Sequence, residues 1–300
     1  MSRTVAVFMG GCSAEREVSL VSGRACAEAL SEAGYEVSEI DVGNDVAALL
    51  ARLTPAPDVV FNALHGRFGE DGCVQGLLNL LRIPYTHSGL LASAVAMHKP
   101  MAKTLFVEAG IPVAEHVIAL RRDMAVGDPI PRPFVVKPLN EGSSVGVRIV
   151  RPGDPAPAGN GAVSPDEVVM IERFVPGREL TVAVMGERAL AVTEISTDRG
   201  FYDYDAKYAP GGSFHVIPAQ LPPDVYDEAM ALSVSAHRAL GCRGVSRADL
   251  RYDGERLFML EVNTQPGMTP TSLVPEQAEH AGISFPQLVA WMVENAEYDR

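Results

Sequence analysis

Residues 245–267 read VSRADLRYDGERLFMLEVNTQPG. Apolar and polar side chains alternate on either side of Asp253-Gly254. That is the pattern of two antiparallel strands joined by a tight turn. A loop of Gly254–Arg256, flanked by Asp253 and Leu257, sets Asp249 opposite Glu261 and Arg247 opposite Asn263. Successive strand residues point to opposite faces, so these four share one face. The other face is expected to carry Leu250, Phe258, Leu260 and Val262 and to be buried. Two carboxylates and an amide oxygen on one face suit a hard divalent cation, magnesium above all. Arg247 beside them suits a phosphate or a developing oxyanion. A solvated polar face would use the same residues, with Arg247 neutralising a carboxylate. Against it, acids packed together on a sheet repel each other unless a cation offsets them.

Working outward from this hairpin, strand patterns also occupy 179–186 (ELTVAVMG) and 188–196 (RALAVTEIS), and a helix is expected over 224–240. A final amphipathic helix covers 285–296. Strands are expected at 134–138, 145–150 and 168–174. Residues 151–165, rich in Pro, Gly and Ala, read as a loop inside that group. Two helical patches, 93–99 and 103–109, precede it.

The first ninety or so residues have a different rhythm. Strand 4–9 feeds a helix over 14–33, with Gly34 as its cap and a strand at 35–42. Residues 58–64 form a short apolar strand, followed by a helix over 71–81 and a strand at 83–85. Alternating strands and helices imply a doubly wound α/β unit with a parallel sheet. The fold class is therefore α/β at the N-terminus, with a more strand-rich α+β part after it.

Between strand 4–9 and its helix lies GGCSAEREVSL, residues 10–20. A glycine turn at a helix N-terminus ordinarily attracts phosphate. Here Glu15 and Glu17 stand in the first turn and would repel it. His65 follows the strand at 58–64, at the sheet end where open α/β sheets bind ligands. A lone histidine there also fits a purely structural role, as a lone Lys99 fits the surface. The loop in VVKPLNEGSSVGVRIV (135–150) joins two strands and lacks GxxxxGK[ST], so it is no P-loop. Backbone N–H groups with Ser143 and Ser144 could close over a triphosphate, with Lys137 adding charge. An ordinary hairpin loop fits as well. FYDYDAKYAPGG (201–212) has the profile of a lid carrying Lys207 and Tyr208, or of a structural Ω-loop.

Composition bounds the class. The chain has 300 residues, 47% hydrophobic, enough for a large core and two or three domains. A net charge of −13 argues against a general nucleic-acid binder. No long apolar run suggests a membrane span, and the N-terminus lacks a signal-peptide pattern. The four cysteines are scattered, without CxxC or histidine clusters, so reduced thiols in a cytoplasmic protein are expected.

Six segments occur in the order and rough spacing of one family: GGCSAEREVSL, ALHGRFGEDG, KPLNEGSSVG, FYDYDAKY, GVSRADL and LEVNTQPGMTPTSLVP. The chain resembles, essentially end to end, the D-alanine–D-alanine ligase family of the ATP-grasp superfamily. The resemblance implies an N-terminal α/β substrate domain (1–95), a central ATP-grasp subdomain (96–178) and a C-terminal ATP-grasp domain (179–300). It implies ATP as co-substrate, two magnesium ions (manganese as the alternative), D-alanine as substrate and a homodimer. It implies ligation to D-alanyl-D-alanine through an acyl phosphate, for peptidoglycan precursor synthesis. Glu15 then meets the ammonium of the first D-alanine and hydrogen-bonds with Ser143 and Tyr208, while His65 is a further first-substrate contact. Arg247 and the N–H of Gly267 face the tetrahedral oxyanion. Ser272 and Leu273 lie near the second carboxylate. Asp249, Glu261 and Asn263 ligate metal. Lys99, Lys137 and Lys207 contact phosphates, with Ser144 in the loop over them. Glu172, Arg173, Phe174 and Val175 form the adenine stretch, and Glu179 meets ribose. Tyr208 favours an amine over an alcohol as second substrate. The chain departs from the common pattern at His98 and Pro100 around Lys99, at Arg173, and in residues 151–165.

Three rivals use parts of the same sequence. Another ATP-grasp ligase need not keep Glu15 and Tyr208. A non-catalytic relative would be expected to lose a metal ligand or Arg247. A nucleotide-dependent oxidoreductase needs GxGxxG, which Gly10-Gly11-Cys12-Ser13 does not provide, although Asp41 sits near the place of its acidic residue.

Overall fold

The computed structural model describes residues 3–142, 146–158, 164–197 and 212–299. Three sheets order the chain. The first is parallel, in the order β2-β1-β3, from β1 (Thr4–Gly10), β2 (Glu36–Val42) and β3 (Val59–Asn62). Its strands alternate with α1 (Arg16–Glu32), α2 (Val46–Arg52) and α3 (Cys73–Leu81). One face carries Val5, Val7, Met9 and Phe61 against α1, and the other carries Ala6, Phe8 and Val60 against α2 and α3. Both faces are covered, as a doubly wound unit requires.

Local details differ from expectation for identifiable reasons. Helix α1 starts at Arg16, not 14, with Glu15 as its N-cap residue; Ala33 is its C-cap, and Gly34 follows at φ +92°. Residues 83–85 do not form a strand; only Tyr85 bridges, between Val60 and Glu297. The two helical patches are α4 (Leu90–Met97) and α5 (Lys99–Glu108). Helix α5 starts earlier than expected because the His98 side chain accepts from Met101 N–H, and Pro100 is tolerated in a first turn.

The second sheet is antiparallel, in the order β4-β7-β5-β6, from β4 (His116–Leu120), β5 (Phe134–Pro138), β6 (Arg148–Val150) and β7 (Val168–Arg173). Phe134, Val136, Val169 and Ile171 pack one face into a core with Met124 and Ile130. By alternation, Lys137 and Glu172 point from the other face. The described part of 151–165 contains neither helix nor strand.

The third sheet is antiparallel, in the order β10-β9-β8-β11-β12, from β8 (Arg178–Met185), β9 (Arg188–Ser196), β10 (Phe214–Val216), β11 (Val245–Tyr252) and β12 (Leu257–Asn263). Leu180, Val182, Ala248, Leu250, Met259 and Val262 bury one face against α6 (Pro223–Ala239) and Phe106 of α5. Two further helices, α7 (Leu273–His280) and α8 (Phe285–Glu294), join the third sheet to the first in one core. Arg247 pairs with Asn263 and Asp249 with Glu261, as expected. The turn differs: Leu257 pairs with Tyr252, not Asp253, and the register shifts between Asp249 and Leu250, leaving Leu260 without a partner in the ladder. That bulge puts Met259 rather than Phe258 in the buried face. Phe258 instead turns toward the second sheet, where it packs with Ala114 and Val175.

Candidate active site

The other face of the third sheet presents Glu179, Thr181, Arg247, Asp249 and Arg251. The Arg247 guanidinium grips Asp249 through two hydrogen bonds of 2.9 and 2.8 Å. Thr181 Oγ1 donates to Asp249 Oδ1 at 2.7 Å, and Asn263 Nδ2 donates to Oδ2 at 3.0 Å. Lys99 Nζ lies 3.8 Å from Glu261 Oε2 and donates to the Glu141 carbonyl at 2.5 Å. The acids expected to repel are thus each met by a cation of the chain. Thr181 is held in turn by Gln277 on α7. The Gln277 amide accepts from Ala183 N–H at 2.7 Å, where β8 bulges, and donates to Thr181 O at 3.2 Å.

The second sheet faces this surface. Lys137 Nζ lies 2.5 Å from one oxygen of Glu172, and Lys103 Nζ lies 2.5 Å from the other. Burial pushes the Glu172 carboxyl up, but the two lysines outweigh it and bring it down to about 2. Burial also opposes the charge of Lys137, yet Glu172, with Glu261 and Glu179 beyond it, holds its ammonium above the ordinary lysine value. Glu179 itself pairs with Arg251 at 3.1 Å. Arg173 stacks on the Phe258 ring at 5.6 Å, so its guanidinium is engaged by a side chain of the third sheet. Arg251 lies 5.8 Å over Phe174 and donates to the carbonyl of Val175 at 3.1 Å.

A cleft of about 1090 Å³ opens between the first and third sheets. Glu15, His65, Arg247, Asn263, Gly267, Ser272 and Leu273 all line it. His65 is fixed on both ring nitrogens: Nε2 lies 3.1 Å from Ser22 Oγ and Nδ1 lies 3.4 Å from Glu70. Gly66 must be glycine, since a Cβ there would meet Glu15 Oε2 at 2.8 Å at a φ of +66°. The head of the 135–150 loop arrives from the other side: a Cβ at Gly142 would stand 3.6 Å from Glu15 and 3.8 Å from Glu70. Ser272 is the N-cap residue of α7, and Thr269 N–H donates to its Oγ at 3.0 Å. Asp41 is taken by Arg16 at 2.6 Å and lies across Gly10, where a dinucleotide would need open glycine backbone.

Ser143, Ser144, Lys207 and Tyr208 lie outside the described residues. Ser22, Glu70, Lys103, Thr181 and Gln277 were not singled out from sequence. Glu70 stands only five residues after its partner His65; the partners of the other four lie far off in the chain, and no local pattern marks them.

The third sheet fits a divalent cation. Asp249, Glu261 and Asn263 offer two carboxylates and an amide oxygen on one partly buried face, and ligand oxygens and water would complete the shell. Among the described residues no group of three or more histidines, cysteines or carboxylates gathers, so metal would come with the ligand rather than to a closed protein cage.

Two antiparallel sheets facing across a lysine–glutamate array, with a carboxylate-bearing hairpin beside the cleft of Glu15 and His65, define an ATP-grasp enzyme. Family profiles agree: one described as "D-ala D-ala ligase C-terminus" matches residues 105–294, and one described as "D-ala D-ala ligase N-terminus" matches 46–88. The chain belongs to the D-alanine–D-alanine ligase family. It is 64% identical to the D-alanine–D-alanine ligase of Paramagnetospirillum magneticum and 63% identical to that of Rhodospirillum rubrum, each over the full length of both chains. The crystal structure of the Bacillus anthracis D-alanine–D-alanine ligase complexed with ATP superposes with a TM-score of 0.83 at 30% identity. That match covers 98% of this chain and 97% of the other.

Proposed function

We propose that the protein joins two D-alanine molecules into D-alanyl-D-alanine, converting ATP to ADP and phosphate. The observation that carries this is the placement of Arg247, Asp249, Glu261 and Asn263 between the two regions the reaction needs. On one side lies the lysine array, and on the other the cleft with Glu15 and His65. A carboxylate oxygen of the first D-alanine attacks the γ-phosphorus. The bond from that phosphorus to the bridging oxygen breaks, and its electron pair leaves on ADP. The amine of the second D-alanine attacks the acyl carbon, loses a proton, and the C–O bond to phosphate breaks.

Each residue has a task in this scheme. Glu15 accepts from the first ammonium, and His65, oriented by Ser22 and Glu70, borders the same substrate. Lys99 and Lys137 hold phosphate, joined by Lys207 and Ser144. Glu172 to Val175 take the adenine and Glu179 the ribose. Arg247 and the N–H of Gly267 stabilise the tetrahedral oxyanion. Ser272 and Leu273 receive the second carboxylate, while Ser143 and Tyr208 close over Glu15. Magnesium held by Asp249, Glu261 and Asn263 would offset charge on the transferring phosphate, with manganese as an alternative. The product serves peptidoglycan precursor synthesis in the cytoplasm, and the enzyme works as a homodimer. Among the described residues no helix is long and apolar enough to cross a membrane.

The test is phosphate release from MgATP with D-alanine, with L-alanine, and with D-alanine plus excess D-lactate, the product identified by mass. Release with D-alanine alone, yielding the dipeptide, supports the reading. ATP binding without release in any mixture overturns it.

A further inference from the structure

Lys103 is a fully buried lysine that the reaction scheme leaves without a task. It sits on α5 four residues after Lys99, hence on the same helix face. Its Nζ is 2.5 Å from Glu172 Oε1 and 3.3 Å from the carbonyl of Met259. Lys137 meets the other oxygen of the same carboxylate at 2.5 Å. Exposure separates the three side chains: 0% for Lys103, 2% for Glu172 and 13% for Lys137. Only Lys137 reaches toward the space between the sheets.

Consider Lys137 with Glu172 alone. The pair would be neutral, and in a poorly solvated site the carboxylate would hold the ammonium tightly. An incoming phosphate would have to compete with Glu172 for Lys137. Lys103 changes that balance, since two ammonium groups and one carboxylate leave one positive charge in surplus. Lys103 cannot present that charge itself, because it has no exposed atoms. We propose that Lys103 is a positioning residue that neutralises Glu172 from behind and so leaves the charge of Lys137 for the polyphosphate of the nucleotide. Burial pulls the Lys103 ammonium below the ordinary lysine value, and Glu172 opposes that pull. The inference rests on the ligase reading above.

A double-mutant cycle separates this charge role from simple packing. Wild type, Lys103→Met, Glu172→Gln and the double variant are titrated with MgADP by calorimetry, and thermal melts establish folding. With Glu172 present, Lys103→Met weakens ADP binding by about tenfold or more; in the Glu172→Gln background, where no carboxylate competes for Lys137, it changes binding by less than about twofold. Equal weakening in both backgrounds makes Lys103 a packing residue and overturns the proposal, as does no weakening in either. Should Lys103→Met fail to fold, Lys103→Arg decides. It keeps the charge, so affinity stays within about threefold, and a folded Arg variant that loses ADP by tenfold or more overturns the charge role. A folded wild type that binds no ADP removes the ligase reading together with this one. Normal wild-type binding with an uncoupled cycle removes this one alone.

Discussion

At the scale of single residues, Glu15 shows how a site can override local preference. It occupies the N-cap position of α1, where a short polar side chain would cap backbone N–H groups, yet its carboxylate caps none. It is 8% exposed and lies against Gly66 at the cleft wall. Glu15→Gln keeps the shape and removes the charge, so KM for D-alanine is expected to rise about 10- to 100-fold, the worth of one charge-assisted hydrogen bond. Steady-state kinetics in D-alanine at saturating ATP measures it, and an unchanged KM would refute the role. Histidines give a second prediction. Burial brings His87 and His237 down to about 4, and His87 Nε2 has no hydrogen-bond partner. Both stay neutral in the native chain while the unfolded chain titrates near 6.5. Between pH 6.5 and 4 the unfolded state binds more protons, so stability present above 6.5 falls as the pH drops through that window. Each histidine accounts for up to about 3 kcal/mol of that loss. Melting points from pH 8 to 5 check it. His87→Asn, which suits the residue's φ of +68°, should flatten the slope.

At the scale of elements, the hairpin was legible and its supports were not. Strand period alone placed Arg247, Asp249, Glu261 and Asn263 on one face. It misplaced Phe258, because the bulge at Leu260 changes register between the turn and the site. A bulge answers to tertiary packing, and nothing in RLFMLEV announces it. Likewise Gln277 mends the bulge in β8 from a helix that sequence reading did not identify. Lys103 escaped for a related reason: its spacing reads as an amphipathic helix, and Glu172, on the second sheet, meets it only once α5 packs against the third sheet. Helix α1 offers a contest between propensity and packing. Gly23 lies mid-helix, where alanine would ordinarily gain about 1 kcal/mol. A Cβ there would stand 2.5 Å from Met9 Cβ on β1, which moves only with its strand. Overpacking of this kind costs about 1–3 kcal/mol, so packing wins and Gly23→Ala should lower the denaturation midpoint. Urea titration decides it, and a raised midpoint would mean that β1 yields freely.

At the scale of the whole molecule, the C-terminal residues tie the first sheet to the third. Tyr85 N–H donates to the Glu297 carbonyl at 3.0 Å, beside β3. Asp299 then accepts from Leu90 N–H at 2.8 Å, at the start of α4, and from Asn79 at 3.1 Å. Arg243, just before β11, pairs with Asp299, donates to the Glu297 carbonyl at 2.7 Å and lies 4.8 Å over the Tyr85 ring. One carboxylate therefore caps a helix of the N-terminal part and anchors an arginine of the C-terminal sheet. Burial pushes its pKa up, but the Leu90 N–H, Asn79 and Arg243 outweigh that and hold it below the usual carboxylate value. Asp299→Ala removes the cap and the carboxylate that Arg243 pairs with, leaving that guanidinium only the Glu297 carbonyl and the Tyr85 ring. The cap alone is worth about 0.5–2 kcal/mol, so in a 300-residue chain the melting point should drop by roughly 1–3 °C. Amide exchange should quicken first at Tyr85 and Leu90, whose N–H groups the strap holds. None of these residues lines the cleft, so kcat/KM for D-alanine should stay within about twofold of wild type below the melting range. A variant that melts normally but loses activity would mean that the strap sets the angle between the two parts of the site rather than merely holding them together.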